Sequence, residues 1–353
     1  RLSDEFTSYA ETLSPLAIGL NNRVGKILQQ LNDQRNNSID KDSFSPAILE
    51  IGSYQSKTEN LSNTWHLMQT ETDPPIAKWV EWQDLGTSFD FRLHASPISA
   101  AHNLAQALWS TSSAAVLTSA TLRTMGDFQY FLRQTGLNWF PKTSTFEAQS
   151  PFDYEKQGTF SVPDMEQCPS ANASGHTSEL AEAIPRELTD LKHGALVLFT
   201  SKKQMKEVHD NLPNEFLQDV FMQGDLPRSK LLASHEQRIN SGHRSILFGM
   251  QSFGEGLDLP GKLCEVVVIT KLPFAPPDSP VEEAKSEWLE KNQGNPFYEI
   301  SVPAVALKLQ QWVGRGIRTE TDHAKIVVLD KRLKTKPYGK KLLAGLPPFK
   351  RLM

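Results

Sequence analysis

Between Ser14 and Leu31 the apolar residues Leu16, Leu20, Val24, Ile27, Leu28 and Leu31 recur at spacings of three and four, which predicts an amphipathic helix. The Asn-, Asp- and Ser-rich stretch from Asn32 to Ser45 reads as a loop. A second helix is expected from Ser45 towards Met68, ended by Asp73-Pro74-Pro75, because the residue before a proline is pushed out of the helical region. Residues 1–85 are therefore expected to be helical and polar, with little strand character.

After residue 110 the pattern changes to short apolar runs: Ala114–Thr118, Ala195–Thr200, Asp219–Met222, Ser245–Gly249, Glu265–Thr270 and Lys325–Asp330. Most are rich in Val, Ile, Leu and Phe, as strands covered on both faces are. Helical patterns such as Lys202–Leu212 and Ser229–Asn240 lie between them. This alternation predicts an α/β fold, a doubly wound and mostly parallel sheet. Such sheets bind ligands beyond the carboxyl ends of their strands. Attention therefore falls on Thr118-Ser119-Ala120-Thr121-Leu122, on Thr200-Ser201-Lys202 and on Ser252-Phe253-Gly254-Glu255-Gly256-Leu257-Asp258.

Pro303–Thr319 reads as one helix opened by a first-turn proline. At about 100° per residue, Arg315 and Arg318 fall within about 40° of Gln311, and Leu309, Val313 and Ile317 fall on the opposite side. One face should be buried while the other presents an amide and two guanidiniums. Gly314 and Gly316 each cost a helix about 1 kcal/mol relative to Ala, which points to close backbone approach or mobility. Two planar, permanently charged guanidiniums suit a phosphate chain. A pair of surface ion bridges is the plainer use of such residues.

Composition narrows the class. The chain has 353 residues, 39% hydrophobic and 22% charged, which is ordinary soluble globular material with length for two cores. No run approaches the roughly 18 apolar residues of a membrane span. Two cysteines, Cys168 and Cys264, are too few for a disulfide framework or a four-cysteine metal site, and both are read as packing residues in a cytoplasmic protein. The histidines show no metal spacing, and His176, His193 and His209 are read as surface residues. From residue 310 onwards eleven Lys and Arg face three acids, although the net charge of the whole chain is -4. Such a basic end is either a polyanion-facing edge or a solvated face. Tyr338 among Lys334–Lys341 is a candidate DNA contact, and Trp312 and Phe253 are candidates for base stacking or for packing. Arg1 in place of an initiating Met reads as the start of a piece of a longer chain.

The motifs become specific when taken together. Gln311-Trp312-Val313-Gly314-Arg315-Gly316-Ile317-Arg318 resembles motif VI of superfamily 2 helicases. Thr118–Leu122 is similar to their motif III, and Ser252–Asp258 to motif V of the XPD-like branch. Ser150-Pro151-Phe152, Lys271-Leu272-Pro273-Phe274, Asp278-Ser279-Pro280 and Asp330-Lys331-Arg332-Leu333 resemble the bacterial DinG family within that branch. The likeness covers roughly residues 75–350, while the earlier residues fit the family's helical arch by position and texture.

The resemblance implies a RecA-like fold and a 5′-to-3′ ATP-dependent DNA helicase of the iron–sulfur group. Arg318 would be an arginine finger, with Arg315 and Gln311 beside it, and Gly254, Glu255, Gly256 and Asp258 would line the nucleotide cleft. Thr118, Ser119, Ala120 and Thr121 would couple that cleft to DNA. Thr200, Ser201, Lys202, Ser252 and Phe253 would lie near the strand's phosphates. Residues 1–85 would belong to the arch, 86–125 to the end of the first motor domain and 126–353 to the second. Implied partners are single-stranded DNA and forked or displaced-strand DNA, with no membrane, for a monomer at the nucleoid.

The chain departs from that family in two places. It has no G-x-x-x-x-G-K-[ST] loop and no D-E-x-H or D-E-x-D after a strand, so ATP and Mg2+ would be shared with sequence not present here. The four cysteines of a 4Fe-4S cluster are also missing, and that cluster is expected only in the full-length protein. The chain alone is expected to hydrolyse no ATP. A non-catalytic single-stranded DNA-binding or interaction module and an RNA helicase or translocase of the same superfamily are the alternatives. A nucleotide-sugar transferase would need a base or a metal-binding carboxylate pair after a strand, and none is found.

Overall fold

The computed structural model describes residues 4–86, 88–275 and 279–352. They form two compact units, the described residues of 4–100 with those of 279–296, and the described residues of 101–275 with those of 297–352.

In the first unit, α1 (Asp4–Asn37) and α2 (Ser45–Gln69) pack as an antiparallel pair. Polar contacts fix their register: Asn21 Oδ1 accepts from Gln55 Nε2 at 2.8 Å and from Thr58 Oγ1 at 3.0 Å, and Gln69 Nε2 donates to Ser14 Oγ at 3.2 Å. Both expected helices are present, and α1 is longer than its apolar stripe. The expectation of little strand character before residue 85 fails. Strands β1 (Ile76–Asp84) and β2 (Phe89–Pro97) form an antiparallel hairpin that spans that boundary. Aromatics stand on both faces of the hairpin, which hides the simple alternation: Trp79 stacks on His94 at 4.8 Å, and Trp82 meets Phe91 edge-on at 6.4 Å. The Pro280–Lys291 helix, capped by Ser279, joins this unit through Trp288 Nε1, which donates to Asp73 Oδ1 at 2.6 Å.

The second unit holds the expected doubly wound sheet. Its seven strands are β3 (Gly158–Ser161), β4 (Gly194–Leu198), β5 (Val220–Met222), β6 (Ser245–Gly249), β7 (Val266–Ile269), β8 (Ala324–Val328) and β9 (Lys350–Leu352). They are all parallel, in the order β5-β6-β4-β7-β8-β3-β9. The four central strands are buried throughout except Lys325, and a core lies on each face. One core is built on the Val302–Val313 helix, the other on the Ala173–Glu187 and Lys202–Asp210 helices. The basic end of the chain supplies the edge strand β9, where Lys350 and Arg351 protect an unpaired ladder.

Three expectations are corrected here. Ala114–Thr118 forms no strand: a parallel strand needs a neighbour for its ladder, no described strand runs beside it, and Val116 is 93% exposed. The helix expected over Pro303–Thr319 stops at Val313, capped by Gly314, so Arg315 and Arg318 lie in the turn that follows. His176, read as a surface residue, is fully buried, its Nε2 donating to the Leu329 carbonyl at 2.9 Å.

Candidate functional site

Two groups of expected site residues lie on the sheet, at opposite ends of its strands. The first group is at the carboxyl ends. Thr200 and Ser201 follow β4, and Ser201 caps the Lys202–Asp210 helix by accepting from the Gln204 amide at 3.3 Å. Lys202 is exposed on the first turn of that helix. Ser252 follows β6 on the first turn of the Gln251–Gly256 helix and is also exposed. Exposed hydroxyls and amides at loop ends grip phosphates without reading bases. Gln223, just after β5, was not anticipated: its Oε1 accepts from the Met250 amide at 2.7 Å and its Nε2 donates to Ser252 Oγ at 3.0 Å. Nothing local marks it, because its partners lie 27 and 29 residues away in the chain.

The second group does not sit at the carboxyl ends. The segment after β6 crosses the sheet face to reach the start of β7, and its far end meets the turn that precedes β8. There Arg315 Nη1 and Arg318 Nη2 both donate to the Leu257 carbonyl, at 2.9 and 3.0 Å. Leu309, Val313 and Ile317 are buried, as the apolar stripe predicts, and Gln311 is half-buried on the last helical turn. The guanidiniums thus converge on the Gly254–Asp258 segment through a turn, where the sequence suggests a continuous helix face.

Asp322 holds that turn and was also not anticipated. Its carboxylate accepts from the amides of Arg318 (2.7 Å) and Thr319 (2.8 Å) and from the Thr319 hydroxyl (2.8 Å). Burial works against its charge, but the Thr319 hydroxyl and the amides of Arg318, Thr319 and Gly261 outweigh it and hold the carboxyl below its ordinary range. Gln157 ties the same turn to β3 by donating to the carbonyls of Thr319 and Asp322, at 3.0 and 3.1 Å.

The other candidates divide clearly. Phe253 is 2% exposed and Trp312 fully buried in one core, so neither ring is open to a base. Gly254 lies against Trp312, while Gly256 and Asp258 are exposed. The Glu255 side chain and Asp278 fall outside the described residues. Thr118, Ser119 and Ala120 are exposed and Thr121 half-buried, in a local turn in which the Thr121 amide donates to Ser119 Oγ at 3.3 Å. Tyr338 is buried, which removes its candidacy as a DNA contact. Asp330 is fully buried and taken up by the Arg332 guanidinium (2.9 and 2.6 Å) and the Leu272 amide (2.8 Å). Three of the eleven basic residues of this end are paired with acids: Lys325 with Glu187, Arg332 with Asp330 and Lys334 with Asp164.

Arg318 forms no ion pair among the described residues, and its buried Nε has no hydrogen-bond partner there. Among the described residues no group of three or more His, Cys, Asp or Glu is placed to hold a metal ion. Cys264 is buried, which pushes its thiol up to about 12, and Cys168 is half-buried. No described helix is long and apolar enough to cross a membrane.

Residues 184–349 match the helicase C-terminal domain model. The chain is 39% identical over 339 residues to the ATP-dependent DNA helicase DinG of Photobacterium profundum, covering 94% of this chain and 48% of that protein. The chain is thus similar to DinG helicases over nearly all of its own length. DinG of Escherichia coli (strain K12) is 34% identical over 352 residues, covering 99% of this chain and 49% of its own length. The chain thus spans about half the length of the curated relatives it matches. Among solved structures, apo XPD superposes with a TM-score of 0.53 at 17% identity, over 97% of this chain and 72% of that one. A second XPD helicase structure gives 0.52 at 16%, over 92% and 55%. The parallel sheet has the RecA-like fold of these solved structures.

Proposed function

We propose that the chain is the C-terminal part of an ATP-dependent, 5′-to-3′ DNA helicase, in which the parallel sheet is the second motor domain. One observation carries the reading: Arg315 and Arg318 rest together on the Leu257 carbonyl, beside the segment that runs back to Ser252. A backbone carbonyl is a weak acceptor for a guanidinium compared with an anion. A triphosphate brought against this face by the remaining motor domain would draw Arg318, and its charge would then act on the transferring phosphoryl group. Gln311 and Arg315 would flank it, with Gly254, Glu255, Gly256 and Asp258 along the cleft.

Thr200, Ser201, Lys202 and Ser252 would form half of a single-strand track at the carboxyl ends. Binding there would be indifferent to sequence and sensitive to salt. The Gln251–Gly256 helix would link the two ends of the sheet, so that closure over nucleotide moves the track. Residues 86–125, Thr118–Thr121 among them, would belong to the end of the first motor domain, where the exposed Val116–Ser119 stretch would gain strand neighbours. Residues 1–85 would belong to the arch. The cradle for the phosphates and Mg2+, and any 4Fe-4S cluster, would lie in other sequence, as would full engagement of forked or displaced-strand DNA.

Replacing Arg318 by Ala in the full-length protein should abolish DNA-stimulated ATP turnover while nucleotide binding is largely retained. Fingers of this kind are worth about 10³–10⁵ in rate. Turnover equal to that of the unaltered protein removes the assignment. DNA-stimulated ATP turnover by the 353-residue chain alone would equally contradict the proposal.

A further inference from the structure

Gln223 makes two side-chain hydrogen bonds, and their polarity is settled by chemistry. A backbone N–H can only donate, so the amide atom facing Met250 N at 2.7 Å is the oxygen. The other end of the amide is then the NH2, which can also only donate, and it faces Ser252 Oγ at 3.0 Å. The Ser252 oxygen therefore accepts from Gln223, and its own hydrogen is left for a group outside this pair. Gln223 is itself fixed, because its backbone amide donates to the Phe248 carbonyl at 2.8 Å, beside the last residue of β6. Ser252 is exposed at the carboxyl end of that strand, on the first turn of its helix.

We infer that Gln223 is a positioning residue that holds the Ser252 hydroxyl as an outward donor for a phosphodiester oxygen of the bound strand. The inference rests on the proposed placement of the strand over Ser252 and adds a part to it. A free serine hydroxyl rotates and donates to whichever acceptor is nearest. Here the amide blocks the inward orientation, so the donor is set before the strand arrives. The cost of ordering it is met during folding, which is what preorganisation means for a contact of this kind. Gln223 comes from β5 and Ser252 from the segment after β6, so the arrangement also makes the contact report on how these two strand ends sit.

The test is a double-mutant cycle on the 353-residue chain, with binding of fluorescein-labelled oligothymidylate read by anisotropy at two salt concentrations. Ser252→Ala should weaken binding about tenfold, the order expected for one hydrogen bond to a charged acceptor. Gln223→Glu keeps the acceptor for Met250 but draws the serine hydrogen inward. In the presence of Ser252 it should cost at least as much as Ser252→Ala. In the Ser252→Ala background it should cost only the effect of its added charge, which shrinks at higher salt. Gln223→Met, which removes both hydrogen-bonding ends, provides the same cycle should the glutamate variant fail to fold. Its penalty should be about threefold and confined to chains that carry Ser252.

Equal penalties for the Gln223 substitutions in both backgrounds overturn the inference while leaving the strand placement standing. No effect of Ser252→Ala, or no binding by the unaltered chain, removes the strand placement itself and the inference with it.

Discussion

A Cβ added to Gly254 would lie 2.2 Å from Trp312 Nε1, closer than any side chain can approach without a shift. Trp312 is fully buried and its Nε1 has no hydrogen-bond partner among the described residues, so the indole contributes there through its bulk. Gly254 therefore serves a packing contact between the segment after β6 and the helix before the arginine turn. Replacing Gly254 by Ala overpacks a rigid core, and a loss of about 1–3 kcal/mol follows, visible as a lower midpoint in thermal or urea denaturation. An unchanged midpoint would mean the two elements are free to separate. The cysteines offer a second check at this scale. Burial pushes the Cys264 thiol up to about 12. Burial also acts on half-buried Cys168, but its hydrogen bonds to Ser170 and Ala171 and the Arg332 charge together outweigh it and hold that thiol below its ordinary range. Iodoacetamide should label Cys168 in the native chain at neutral pH and Cys264 only after unfolding, as mass spectrometry of the digested protein can show.

At the level of elements, the turn from Gly314 to His323 depends on one carboxylate. Asp322 answers three backbone amides and one hydroxyl, and removing it leaves buried N–H groups without acceptors, each worth about 1–3 kcal/mol. Asp322→Ala should destabilise the chain by a few kcal/mol. In the full-length protein it should also slow turnover, because both guanidiniums hang from this turn, and Asp322→Asn, which keeps one acceptor oxygen, should recover part of the loss. Asp322→Ala turning over at the unaltered rate would detach the turn from the proposed mechanism. The same elements show what sequence can and cannot convey. Ser245–Gly249 was legible because a strand covered on both faces is a continuous apolar run. Ala114–Thr118 has the same texture but no neighbouring strand among the described residues, and pairing is a property of two segments rather than one. The convergence of Arg315 and Arg318 could be read from their spacing, although the turn that achieves it, and the acid that holds the turn, could not. Gln223 and Asp322 look like ordinary loop residues until their partners are brought alongside by the fold.

For the whole molecule, stability should carry a histidine signature. His235 is fully buried, with Nε2 facing the Leu263 carbonyl at 2.9 Å and Nδ1 facing Ser245 Oγ at 2.8 Å. The carbonyl can only accept, so Nε2 carries the hydrogen and Nδ1 takes the serine hydroxyl's. His176 likewise donates from Nε2 to Leu329 at the end of β8. These two rings tie the Arg228–Asn240 and Ala173–Glu187 helices to opposite parts of the sheet as neutral groups, and burial lowers the pKa of both. With a folded pKa below the unfolded value of about 6.5, the unfolded chain binds protons first as pH falls. The stability they contribute is therefore complete above about pH 6.5 and is lost progressively below it, down to the folded pKa values. Urea midpoints should be level between about pH 7 and 8 and should fall progressively as the pH drops below about 6.5. His235→Gln, which keeps a donor and an acceptor but cannot titrate, should lower stability at neutral pH through imperfect packing yet make the acid slope shallower. A slope unchanged in that variant would assign the acid sensitivity to other groups and leave the neutral form of His235 without thermodynamic consequence.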